Sequence, residues 1–157
     1  MGTDFEEIYN LALITIRDYK IDKWATTDYN IFLNHMQGIL IRSIPRFTGC
    51  LKSLNYKLDV VVVIEGIPTI KSFFDNELTN LEKSILADSM VNTWFFADIN
   101  DITEINLSLQ GRDKKTHSES SNLKEKSEYY DRLNERLSQS INDYQLEGDN
   151  FDVIFGI

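Results

Sequence analysis

The sequence predicts a mainly α-helical domain: a bundle of four to five helices with one inserted β-hairpin and an extended C-terminal tail. Three observations carry this expectation. Apolar residues recur at spacings of three and four over most of the chain, the period of one helical face. Two capping boxes, Thr3-Asp4-Phe5-Glu6 and Thr79-Asn80-Leu81-Glu82, mark where two helices begin. In the middle, the pattern gives way to the β-branched run Val60-Val61-Val62-Val63-Ile64.

From the amino terminus, Phe5, Ile8, Tyr9, Ala12, Leu13 and Ile16 form one stripe and predict a helix over about residues 4–20, capped by Thr3. A polar joint is expected at Asp22–Thr27. A second helix opens near Asp28 and carries Ile31, Phe32, His35, Ile39 and Ile41 or Arg42. Pro45 ends it, because proline disfavours helix in the residue before it. A hairpin is expected over about residues 58–74. Glu65-Gly66 is its turn, and Pro68 requires an edge position because it cannot donate a ladder hydrogen bond.

The box at Thr79 opens a helix to about Phe96. Its second half is apolar almost all round, which makes it the expected central buried helix with Trp94 as anchor. A short helix capped by Asp101 is expected over 98–109, then a polar loop over 110–121. A last helix over 121–144 repeats Leu123, Tyr130, Leu137 and Tyr144 every seven residues, a narrow stripe. The domain is expected to span residues 1–148. Beyond Gly148, the alternation of Phe151, Val153 and Phe155 with Asp152, Ile154 and Gly156 predicts an extended arm over 149–157.

Composition bounds the function. The chain has 157 residues, the size of one domain, and 42% hydrophobic residues, enough for a core. A net charge of -9 argues against general affinity for phosphate backbones or anionic membranes. The longest purely apolar stretch, Val60–Ile64, is far short of a membrane span. The single cysteine, Cys50, excludes an intrachain disulfide and fits a reducing cytoplasm.

Chemistry finds no foothold. His35 sits in an apolar helical stripe and His117 in a polar loop, with no metal-ligand spacing between them. Neither a phosphate-binding glycine loop nor a nucleophile elbow is present. No enzyme activity, cofactor or metal is expected. The candidate sites are contact surfaces. Val60, Val61, Val62 and Val63 are more apolar than one exposed hairpin face requires. Phe151, Val153, Ile154, Phe155 and Ile157 are suited to docking on a neighbour. Arg112, Lys114 and Lys115 form the one compact basic cluster and could touch nucleic-acid phosphate or an acidic partner.

The segment Glu77–Trp94, together with Asp113–Lys124, resembles the small neck proteins of tailed bacteriophages infecting Gram-positive hosts, the head-tail connector or head-completion (adaptor) proteins. The resemblance covers roughly residues 55–145. It implies a virion structural protein, assembled from the host cytoplasm into a ring of twelve copies beneath the portal protein. Such a ring contacts further neck (stopper) or tail-completion proteins, and extends the channel through which DNA passes as cargo. The residues alone also allow a helical protein-binding or regulatory module of phage or bacterial origin.

Overall fold

A computed structural model describes residues 2–109 and 116–155. In chain order it contains α1 (Phe5–Leu13), α2 (Tyr19–Thr27), α3 (Tyr29–Ser43), a 3-10 turn (Ile44–Arg46), β1 (Tyr56–Ile64), β2 (Ile67–Phe74), α4 (Asn80–Leu109) and α5 (Thr116–Phe155). The helical bundle with one inserted antiparallel hairpin is the predicted architecture. No helix of the described residues is long and apolar enough to cross a membrane.

The core forms where α1 and α3 pack on the first half of α4. Ile8, Ala12, Met36, Leu40, Leu86 and Met90 are completely enclosed. Each comes from the three-and-four stripe of its own helix, and the stripes converge because burying them is the main favourable term in folding. Among the described helices and strands, α5 packs on α4 alone, through Leu133, Leu137, Ile141 and Tyr144.

Several local expectations are corrected, among them the polar loop over 110–121, since α5 already begins at Thr116. The helix expected over 4–20 is two helices. Asp18 interrupts it, its carboxylate accepting the Lys20 amide at 2.8 Å to cap α2, and the polar joint at 22–27 is helical. The N-cap of α1 is Asp4, which accepts the Glu6 amide at 3.0 Å. Thr3 is occupied elsewhere: its buried hydroxyl accepts the Leu78 amide at 2.7 Å, and its carbonyl accepts the Phe74 amide at 2.8 Å.

The helices expected over 79–96 and 98–109 are one, α4. No proline or glycine lies between residues 80 and 109, and Asp98 pairs with Lys126 at 2.9 Å. Burial in α4 also peaks earlier than expected. Trp94 is half-buried and Phe96 is 45% exposed, while Ile85, Leu86 and Met90 are sealed. Finally, residues 149–155 are helical, continuing α5 to Phe155. Phe151, Ile154 and Phe155 also satisfy a three-and-four period, so the alternation seen in the sequence was ambiguous over so short a run.

One core residue is poorly matched to its surroundings. Asn92 is 1% exposed, and among the described residues neither its amide nitrogen nor its carbonyl oxygen has a hydrogen-bond partner. Leucine has the same branched outline, with a larger volume, and carries no polar atoms to desolvate. Asn92→Leu is therefore expected to stabilise the fold by about 1 kcal/mol, read as a higher urea midpoint at unchanged slope.

Candidate interaction surfaces

The hairpin is built for projection. Its two turn residues both take positive φ, Glu65 at 50° and Gly66 at 81°. That is the primed turn whose twist matches the strands. Val63 faces Pro68 and Ile64 faces Ile67. In this register the pair next to the turn exchanges hydrogen bonds, so the Pro68 nitrogen points to the free edge, where a missing donor costs nothing. A bulge between Lys57 and Val60, with Asp59 at φ 51°, adds one residue to β1.

One face of the hairpin carries Val61, Val63, Pro68, Ile70 and Phe74. At the base this face is packed. Phe74 is fully buried, with its ring 4.8 Å from that of Phe5 on α1. Towards the tip nothing among the described residues covers it, and Val61, Val63 and Ile70 are 64%, 70% and 64% exposed. The opposite face is half-buried at Val60 and Val62. It is anchored at the base by Lys71, whose ammonium donates to Asp4 at 2.6 Å and Glu6 at 3.4 Å. The tip itself adds Ile64 and Ile67, both exposed.

The two edges also differ. The base of β2 is covered by the Thr3–Asp4 segment, through the Phe74 amide and a bridge between Asp4 and Phe73. Along β1, no strand of the described residues pairs with the outer edge.

Of the other predicted site residues, Phe151, Val153, Ile154 and Phe155 fall on the last turns of α5. Arg112, Lys114, Lys115 and Ile157 lie outside the described residues. Since α5 packs on α4 and the hairpin on α1, the two predicted contact surfaces are separate features.

A third feature was missed in the sequence. An open cleft of about 440 Å³ lies among α2, α3, α4 and α5. Trp24, His35, Trp94 and Phe95 line it, and the charged rim is Arg17, Asp18, Lys20, Asp98, Asp101 and Lys126. The ring of His35 meets that of Trp24 edge-on at 5.1 Å. Burial pushes its pKa below the ordinary value, against the pull of Asp18 and with help from Arg42. The Trp94 indole donates to Asp18 Oδ2 at 3.2 Å. The shared signal in the sequence was that the chain's two tryptophans both fall on helices, 70 residues apart; nothing local joins them.

Beneath the surface, one polar node ties α5 to the rest. The Thr79 box forms as predicted: the Thr79 amide donates to Glu82 Oε2 at 2.7 Å, and the Glu82 amide to the Thr79 hydroxyl at 3.2 Å. Glu82 is only 2% exposed. Its Oε1 accepts the Tyr144 hydroxyl at 2.6 Å, and Lys52 lies 3.4 Å from Oε2. The same Tyr144 oxygen accepts the Leu51 amide at 3.1 Å. Every strong polar atom at the node is matched, the arrangement of a structural latch. Among the described residues, no three His, Cys, Asp or Glu side chains converge as a metal site.

Comparison of the chain with protein-family models, with curated proteins and with solved structures returns no match.

Proposed function

We propose that this chain is a structural subunit of a phage neck, a ring-forming connector that joins the portal protein to the tail and lines part of the DNA channel. The observation that carries the reading is the projecting hairpin, whose exposed aliphatic residues are covered by nothing among the described residues. Along the uncovered face Val61, Val63 and Ile70 are 64%, 70% and 64% exposed, and three aliphatic side chains make far less than the about 800 Å² per partner that a stable pair needs. Such a patch suits a subunit that stays separate in dilute solution and associates where several contacts close together. The resemblance of residues 55–145 to neck proteins points the same way. The acidic balance suits a channel wall, since like charge lets DNA slide. Stopper or tail-completion proteins would meet the opposite side of the ring.

The test of the reading is whether the chain is present in purified virions, and whether electron microscopy places it between head and tail. Its absence from particles would overturn the assignment. The contact itself is tested by charge insertion. Val61→Lys with Val63→Lys places two charges on the uncovered face. The expected result is an unchanged circular dichroism spectrum and melting temperature, with incorporation into particles abolished. Val60→Lys with Val62→Lys strikes the half-buried face, and is expected to lower the melting temperature. Normal incorporation of the first variant would remove the hairpin from the interface.

A further inference from the structure

A small groove lies between α1, α3 and the hairpin. Tyr9 lies in its floor, Asn34 and Gln37 line one side, and Ile70 and Ser72 the other. Three carboxylates, Asp4, Glu6 and Asp59, line it as well, and no lysine or arginine does. Lys71 bonds Asp4 and Glu6 from the opposite face of the hairpin, one positive charge against three negative ones. Asp59 enters no ion pair among the described residues.

Tyr9 turns this acidic groove into a site. It is 4% exposed and lines the groove, yet its hydroxyl has no hydrogen-bond partner among the described residues. A hydroxyl so nearly enclosed and left unmatched costs free energy. Burial, and then the charges of Asp4, Glu6 and Asp59, push its pKa above the ordinary value, so it keeps its proton. The same negative surroundings favour a hydrogen-bond donor that carries positive charge.

The shape of that donor follows from how the acids are spread. Among the described residues no three acidic side chains converge closely enough to hold a metal ion. A point charge therefore cannot meet all of them, whereas a guanidinium offers five N–H donors spread in one plane. The groove measures about 40 Å³, room for the head of one side chain and not for a helix or strand.

We propose that the groove receives an arginine side chain of a partner protein, its guanidinium donating to the Tyr9 hydroxyl and the Asp59 carboxylate and its stem lying on Ile70. Ile70 shares the uncovered hairpin face with Val61 and Val63, so the partner segment carries aliphatic residues beside its arginine. In that continuity the proposal rests on the reading of the hairpin as a contact surface.

Tyr9→Phe separates a binding role from a structural one. The hydroxyl has no partner to lose, so the melting temperature is expected to stay unchanged or rise. A clear fall would show that the fold already uses the hydroxyl, and the proposal would be wrong. Asp59→Asn removes the charge and keeps the backbone, since asparagine also tolerates the left-handed φ of 51° found there. Binding is followed by NMR at Asn34, Gln37 and Ser72 as the peptide acetyl-Val-Arg-Val amide is titrated into the full-length protein at low salt. Saturable changes are expected at these residues, weakened about fivefold by either variant and lost when citrulline replaces the arginine. Binding should also weaken as salt is raised. No saturable change, equal changes with a citrulline or lysine peptide, or unaltered affinity in both variants would overturn the proposal. The titration uses the isolated chain, so its failure leaves the virion test of the hairpin untouched, and failure of that test leaves groove binding measurable.

Discussion

Glu82→Ala is expected to destabilise the fold by about 3–5 kcal/mol, the range for removing one partner from a buried charged network. The substitution removes half of the α4 capping box, leaves the 7%-exposed Tyr144 without its acceptor, and strips Lys52 of its counter-charge. Tyr144→Phe, which removes only the hydroxyl, is expected to cost about 1–2 kcal/mol. Both are read by urea denaturation.

The pH dependence follows from the balance at Glu82. Burial pushes its carboxyl up. The Tyr144 hydroxyl, the Thr79 amide and the Lys52 ammonium together outweigh burial and hold it below the usual carboxylate range. A carboxyl whose folded pKa is depressed contributes stability above its unfolded value, near 4.3, and loses it as pH falls through the folded value. Tyr144 is pushed upwards, first by burial and then by Glu82, so it stays a proton donor throughout. The stability gap between wild type and Glu82→Gln is therefore expected to narrow below about pH 4. A gap independent of pH between 3 and 7 would mean that the carboxylate charge contributes nothing to the latch.

Met90→Ala is expected to cost about 2–5 kcal/mol, and Trp94→Ala less, about 1–2 kcal/mol, despite the larger side chain removed. Met90 is fully enclosed where α1 and α3 meet α4, and its truncation leaves a void with no solvent access. Trp94 is half-buried at the cleft, so water fills the space it vacates; the lost hydrogen bond to Asp18 lies at the edge. Thermal denaturation of both variants ranks them. A costlier Trp94→Ala would return the tryptophan to the role of core anchor.

The error over Trp94 shows where periodicity stops being informative. Composition along α4 rises towards Phe96, and a window of sequence reads the richest stretch as the most buried. Burial is decided by which helices arrive from elsewhere, and α1 and α3 arrive at residues 85–92. The same limit applies to Thr3. Its spacing to Glu6 is that of a capping box, and the Thr79 box with identical spacing does form. Thr3 is drawn away because β2 and the start of α4 offer it two partners from residues 74 and 78, contacts no local window contains.

What the sequence alone determined were the features with short-range physics: the existence of the α3 and α4 helices, the Asp28 and Thr79 starts, the stop at Pro45, and a hairpin turning at Glu65-Gly66. Each depends on residues within one turn of helix or one strand pair, where backbone geometry and capping decide. Only the tertiary structure decided which face of the hairpin stays uncovered, since Phe74 and Ile70 share a face, yet Phe74 is buried against Phe5 and Ile70 is 64% exposed. It alone also brought Trp24, His35 and Trp94 around one cleft, and Glu82 to Tyr144 across 62 residues. Long-range contacts of this kind are selected by the summed burial of all the helices at once, and no single segment carries that sum.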